Sequence, residues 1–584
     1  MDSNQKLHNI RHSLAHILAS AVLEMFPKAK LGVGPVIENG FFYDFQLPRP
    51  LTPEDIKVLE KRMRALVQSK LDFERIEKTS GEAKEFFKNE NQPFKMELIS
   101  DIEKFGTTKA DEILNNDKTQ TTVAKNENPE ATNVSLYKTG KFIDLCRGGH
   151  VENTSQIRTD AFKLDKVSGA YWRGDQANPQ MQRVYGIAFE TKEQLEAYQK
   201  QVEEAIKRDH RKLGKELGLF VFSDLVGPGL PLYTFKGAIV RREIANFSNE
   251  LQKEIGYQEV YTPNMNKAEL FKVSGHYEKY KDDMFKVISN YSKEEYYLKP
   301  MNCPQHTQIY ASDKRSYKDL PIRISDFANL YRDEKPGELS GLTRLRAFCQ
   351  DDGHSFCRED QIKDEFEAVL KIVKKALNTY GMDYYIRLSL WDPGHPEKFL
   401  GEPAVWEKSQ KILEDILKEN NIEYVVGVGD AAIYGPKMDI ITRDSLNREW
   451  QVSTIQLDFI MPQRFGLTYI DKDGQEKTPA MVHRAIIGSP ERFMAILIEH
   501  YSGAFPAWLS PVQVSILPIS QKQNAYARKV MKELISANDD LRVELDDRDE
   551  SVGKKIREAT MQKIPYQIIL GEKEVKAKKI AVRT

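Results

Sequence analysis

Two stretches of this sequence gather residue types that do chemistry, at spacings that would let them act together. The longer runs from Arg323 to Cys357, RISDFANLYRDEKPGELSGLTRLRAFCQDDGHSFC. Strand-like alternation flanks KPGELSG, where Pro336, Gly337 and Gly341 supply turn chemistry, so a long antiparallel hairpin is expected. Strand side chains alternate between faces. Arg344, Arg346, Phe348, Gln350, Asp352 and His354 are therefore expected on one face, with Leu345, Ala347 and Cys349 on the other. Arg332 and Glu334 share a face of the first arm. If that face is the same one, cations for an anion, a flat ring for stacking, an amide, a carboxylate and an imidazole converge on one surface.

The shorter pattern pairs HxxxH with DLCRGGH. His12 and His16 lie one helical turn apart on one face, while Asp144, Cys146 and His150 flank two glycines that allow a tight backbone path. His12, His16, Cys146 and His150 form a tetrad of metal-ligand types. They are equally able to make a pocket that activates water or positions a polar substrate.

Several elements must position these residues. At 584 residues the chain exceeds what one core supports, and roughly three or four domains are expected. With 30% charged and 40% hydrophobic residues, a largely disordered chain is excluded. A formal net charge of -1 gives no global attraction to nucleic acid, so an RNA partner would need local basic surface. The cysteines at 146, 303, 349 and 357 are too few and too irregular for a disulfide framework, which points to a reducing compartment. No run is long enough to span a bilayer, and the apolar N-terminal stretch is interrupted by histidines and lacks a cleavage site. A cytoplasmic protein without a membrane partner is expected.

In chain order, residues 10–26 have helical periodicity, LGVGPVIENGFFYDF offers turns and an aromatic strand, and TPEDIKVLEKRMRALVQSK begins with a Thr cap and an early Pro. Residues 191–217 form a charged, Pro-free helical pattern, expected as one linker helix with a solvated face or an RNA contact. KGAIVRREIANFSNELQKEIGYQEVYTP reads as a helix, a turn at Gly256 and a strand. HRAIIGSPERFMAIL joins a strand, a glycine turn and an apolar helix. From Val512 onward strands and helices alternate, predicting a small parallel or mixed α/β domain in which Lys554, Lys555 and Arg557 could meet phosphates or end a solvated helix.

The tetrad and its surroundings resemble the editing domain shared by threonyl- and alanyl-tRNA synthetases. In the threonyl branch the resemblance implies hydrolysis of mischarged seryl-tRNA without a bound metal, whereas alanyl relatives can hold zinc. By motif match Tyr43 in FFYDF, Lys95 in QPFK and Asp144 join His12, His16, Cys146 and His150. Gly149 departs from the usual CRGPH. The helix and strand before Pro263 resemble motif 1 of class II aminoacyl-tRNA synthetases, a dimer interface in that family. The hairpin resembles motif 2, which implies ATP contacts from Arg332, Glu334, Arg344 and Phe348, with the arginine on the α-phosphate and the aromatic ring on adenine. HRAIIGSPERF resembles motif 3, which implies that Arg492 holds the γ-phosphate.

Similarity to threonyl-tRNA synthetases further implies a catalytic zinc on Cys303 in MNCPQH, His354 in QDDGH and His483 in MVHRA, one per chain, with a fourth position open. An open zinc can take an amine and a hydroxyl together, which rejects valine. Serine differs from threonine by one methyl, worth only about 1–3 kcal/mol, and that motivates a second, hydrolytic site. Asp352 is placed by alternation for the hydroxyl or amine and Gln350 for the carboxylate; family matching adds Tyr434 and Gln456 for threonine and Gln451 for ATP.

The resemblance therefore implies an α+β multidomain enzyme: an α+β editing domain over 1–190, a linker helix over 191–217, a class II catalytic domain with an antiparallel sheet over 218–508, and a small α/β anticodon-binding domain over 509–584. Many family members begin with a further small domain and continue past the AVRT that ends this sequence, so the last domain is expected to be incomplete. The implied partners are threonine, ATP with Mg2+, tRNA(Thr) and a second copy of the chain. The rival readings are an RNA-binding regulator built on a synthetase body and a ligase for another small amino acid.

Overall fold

The computed structural model describes residues 3–105, 133–175 and 177–584. They form two compact units, Met1–Glu203 and Glu204–Thr584.

In the first unit the helix Ser3–Met25 buries Leu14, Leu18 and Val22 against Phe41 and Phe45 of the strand Gly40–Gln46 and against Leu59 and Met63 of the helix Pro53–Gln68. Burying each such side chain contributes about 1.5–3 kcal/mol. Thr52 starts the second helix: its hydroxyl accepts from the Asp55 N–H while the Asp55 carboxylate accepts from the Thr52 N–H, a reciprocal cap followed by Pro53. The main sheet runs Lys30–Leu31, Gly40–Gln46, Gln180–Ala188, Phe162–Tyr171, with Val36–Ile37 paired to Gly40–Gln46. A separate antiparallel sheet of Phe73–Thr79, Asn133–Thr139 and Phe142–Leu145 sets Tyr137 opposite Asp144.

The second unit is built on an eight-stranded sheet. In spatial order its strands are Gln258–Glu259, Ile322–Tyr331, Ala347–Cys357, Ala480–Ala485, Glu449–Asp458, Lys437–Arg443, Asp383–Leu390 and Tyr424–Val428. Only the first and last pairings are parallel. The helices Phe235–Glu254, Ile362–Thr379 and Pro490–His500 share its largest core, with Val240, Ile244, Phe366, Val373, Phe493 and Leu497 buried. Ile322–Tyr331 and Ala347–Cys357 form the expected hairpin in one unbroken register, Ile322 opposite Phe356 through Tyr331 opposite Ala347. The second arm begins at Ala347, so Arg344 and Arg346 belong to the connecting loop rather than to the strand face.

The charged stretch after residue 191 is two helices, Lys192–Arg208 and His210–Glu216, not one. Asp209 interrupts it, because its carboxylate accepts the Arg211 N–H and caps the second helix. The chain ends in a four-stranded mixed sheet, Val543–Leu545, Val514–Pro518, Tyr566–Leu570, Ala581–Arg583, whose first two pairings are parallel. There Lys555 is interior and donates to the Pro518 carbonyl at 3.1 Å, so it is not available to a phosphate. Among the described residues no helix is long and apolar enough to cross a membrane.

Candidate active and editing sites

Register carries the hairpin face into a cleft. Opposite Ala328, Asp326 and Ile324 stand Gln350, Asp352 and His354, and on the far side of His354 lies His483 of the strand Ala480–Ala485. The ladder continues past the first arm, since the Arg332 N–H donates to the Arg346 carbonyl at 2.9 Å. The Arg332 guanidinium then sits 5.1 Å over the Phe348 ring. Two adjoining clefts result, one of about 290 Å³ and one of about 550 Å³, and Arg332, Glu334, Arg344, Gln350 and Gln456 line both.

The smaller cleft is cationic. Arg332, Arg344 and Arg492 line it together with Phe348 and Gln451. Desolvation against the cleft wall, then the charges of Arg332 and Arg344, hold Arg492 below the ordinary arginine value. Three guanidiniums held together against their mutual repulsion favour a polyanion. Arg344 is aimed by Glu334 at 2.8 Å and Glu338 at 2.7 Å, and Arg492 donates to the Thr343 carbonyl at 3.0 Å. Ser489 caps the Arg492 helix, with Pro490 as its first residue. Gln451 donates to Asp439 at 2.7 Å.

The larger cleft holds Asp352, Tyr434 and the trio Cys303, His354 and His483. One ligand atom from each of the trio lies within 4.8 Å of the others, and all three residues are buried. His354 Nε2 and His483 Nδ1 face each other at 3.0 Å, while the opposite nitrogens are held from behind: His354 Nδ1 by His306 at 2.6 Å and His483 Nε2 by Asp458 at 3.0 Å. Burial, then the neighbouring His483 and His306, keep His354 far below the ordinary histidine range, and burial pushes the Cys303 thiol up. Two imidazoles and a buried cysteine, each ring oriented by an outer partner, suit zinc. Tyr434 stacks on His483 at 4.5 Å and donates to Gln456 at 2.6 Å. Burial raises Asp352 to about 7, against the opposing pull of Arg484.

Several supporting residues escaped the sequence reading. Asp458 stands two positions after Gln456, so alternation could have placed it on the same face. His306 follows Cys303 by one turn of the helix Cys303–Ala311. Asp351 lies on the face of Ala347 and Cys349, where it accepts from Ser248 and from the N–H groups of Ile486, Ile487 and Gly488. The Cys349 sulfur accepts from Arg241 at 2.6 Å.

In the first unit His12, His16, Cys146 and His150 converge as expected, with ligand atoms within 4.8 Å. Cys146 Sγ is 3.5 Å from His12 Nε2 and 3.2 Å from His150 Nε2. Lys95 and Asp144 form a buried ion pair at 2.6 Å, and Tyr43 joins both, donating to Asp144 at 2.5 Å and accepting from Lys95 at 2.9 Å. Burial lowers His12 to about 4, lowers His16 and His150 further, and pushes the Cys146 thiol up to about 12. The pocket is thus neutral imidazoles beside a thiol rather than a thiolate, suited to orienting a polar group or a water. Gly149 has φ +85°, a conformation closed to proline. His8, a third histidine at the same spacing on the helix, also lines this pocket of about 470 Å³.

Strand order, the three arginines and the arrangement of the hairpin with the Arg492 helix define a class II aminoacyl-tRNA synthetase. The family description "tRNA synthetase class II core domain (G, H, P, S and T)" matches residues 285–501, an anticodon binding domain matches 513–584, and the "Threonyl and Alanyl tRNA synthetase second additional domain" matches 134–185. The chain belongs to the threonine–tRNA ligase family. It is 47% identical over 587 residues to the threonine–tRNA ligase of Gloeobacter violaceus, covering 99% of this chain and 89% of that one. A Thermus thermophilus threonine–tRNA ligase is 46% identical over 588 residues, covering 98% and 84%. Among solved structures, the RNA binding domain of threonyl-tRNA synthetase from Cryptosporidium parvum superposes with a TM-score of 0.61 at 38% identity, over 64% of this chain and 92% of that one. The protein is a threonine–tRNA ligase with an editing domain, and its class II core implies ATP with Mg2+.

Proposed function

We propose that the two adjoining clefts divide one reaction between them, and the observation that carries this is their shared wall of Arg332 and Gln350. ATP occupies the cationic cleft, with adenine on Phe348, the α-phosphate on Arg332, the γ-phosphate on Arg492, and Glu334, Arg344 and Gln451 completing the wall. Threonine occupies the deeper cleft, its carboxylate toward Gln350 and the α-phosphate, its amine and hydroxyl toward Asp352, Tyr434 and Gln456. The carboxylate attacks the α-phosphate, pyrophosphate leaves, and Arg332 stabilises the charge that develops on the phosphate oxygens. Cys303, His354 and His483 would hold a zinc ion, which supplies Lewis-acid attraction for an amine and a hydroxyl together.

The first unit hydrolyses seryl-tRNA(Thr), with His12, His16, Cys146 and His150 placing the water and Tyr43, Lys95 and Asp144 fixing the wall. A homodimer is supported by apolar side chains left exposed around the helix Phe235–Glu254, among them Leu225 at 100%, Phe235 at 93% and Tyr261 at 88%. Four unbonded, buried cysteines suit the cytoplasm.

Threonine-dependent pyrophosphate exchange tests the assignment. Threonine should support exchange, valine should not, and Arg332→Ala should lose at least about a hundredfold in rate. Full exchange by Arg332→Ala would remove the ATP assignment.

A further inference from the structure

The loop between the hairpin arms is tied from below by a short helix of the same unit. His210 opens that helix, His210–Glu216, and is 4% exposed. Its Nε2 accepts the backbone N–H of Leu342 at 3.0 Å, so this nitrogen carries no proton. The other nitrogen, Nδ1, therefore carries the hydrogen and donates it to Glu499 at 2.6 Å. Glu499 is fixed in turn by the His210 N–H at 3.0 Å and by Arg448. With both ring nitrogens engaged, the cluster Asp209, His210 and Glu499 has no lone pair on the ring to offer a metal.

The loop closes tightly on this ring. Gly341 has φ +48°, and a Cβ there would lie 2.1 Å from His210 Nε2. One residue beyond Leu342, the Thr343 carbonyl accepts from Arg492 Nε. A continuous chain thus runs from Glu499 through His210 and the Leu342–Thr343 peptide to Arg492.

We propose that His210 is a positioning residue of the ATP site: it anchors the loop so that the Thr343 carbonyl aims Arg492 into the cationic cleft. This rests on the ATP assignment above. The imidazole touches no substrate. It acts because a planar ring with one donor and one acceptor spans from a helix carboxylate to a loop amide, which an aliphatic residue cannot do.

The test is pyrophosphate exchange and amide hydrogen exchange on the full-length enzyme with His210→Phe, which keeps the ring but not the acceptor, and His210→Gln, which restores an acceptor. His210→Leu is the smaller substitute should Phe fail to fold. Losing the partner of a buried amide should raise the KM for ATP about tenfold and leave the KM for threonine within about twofold. Amide exchange should speed up across 339–346 without ATP, and His210→Gln should recover most of both effects. An unchanged ATP KM in His210→Phe, with Arg492→Ala impaired, overturns the proposal alone. An unchanged ATP KM in Arg492→Ala as well overturns the ATP assignment and the proposal with it.

Discussion

Asp351 holds Gly488 twice: its Oδ1 accepts the glycine N–H at 2.9 Å, and its own N–H donates to the glycine carbonyl at 3.0 Å. Its Oδ2 takes the N–H groups of Ile486 and Ile487, at 3.0 and 2.9 Å, and the Ser248 hydroxyl at 2.9 Å. One carboxylate therefore shapes the turn ahead of the Arg492 helix and pins it to the helix Phe235–Glu254.

Asp351→Asn would turn an amide donor toward these donors. Burial without matched partners should cost about 2–3 kcal/mol. The urea midpoint for loss of pyrophosphate exchange should fall accordingly; an unmoved midpoint would show that the turn forms without this carboxylate.

Asp458 orients His483 from behind the proposed zinc position. Asp458→Asn should weaken zinc affinity about 10–100-fold, and His483→Ala should abolish retention of about one zinc per chain, read by elemental analysis after dialysis against chelator. Valine should gain no activity in either variant. Full zinc retention by His483→Ala would exclude this trio.

The two reactions should separate by mutation. His12→Ala or Cys146→Ala should depress seryl-tRNA deacylation at least about tenfold, with threonine-dependent exchange near normal. A loss of exchange alongside deacylation would instead indicate a general folding defect.

The buried histidines of the first unit predict an acid-sensitive domain. Burial lowers His12 from 6.5 to about 4 and His16 and His150 further, so between those limits the unfolded chain binds more protons than the folded one. Their contribution to stability is complete above about pH 6.5 and is lost as pH falls toward 4. Thermal unfolding of the first unit should show this slope, and His12→Phe should flatten it; a slope identical in the variant would assign the acid sensitivity elsewhere.

Much of this was legible from period alone. Alternation along Ala347–Cys357 placed Gln350, Asp352 and His354 on one face, and turn chemistry placed the loop. Alternation fails where the strand stops: Arg344 and Arg346 lie outside it. The opposite face is less legible, because Cys349 and Asp351 meet polar groups from Arg241, Ser248 and the Ile486–Gly488 turn, all more than 100 residues away in sequence. Local spacing carries no record of such contacts. His210 was read as part of a solvated helix for the same reason: its partners, Leu342 and Glu499, come from distant segments.

The four cysteines carry a practical consequence. All are buried, and burial raises every thiol above its ordinary pKa, Cys146 and Cys349 to about 12. Alkylating reagents attack the thiolate, so at neutral pH the folded chain should be almost inert to them. Each modification then reports a moment of local opening. Cys146 serves as a clock for the histidine-lined pocket of the first unit, Cys349 and Cys357 for the hairpin, and Cys303 for loss of whatever occupies its cleft.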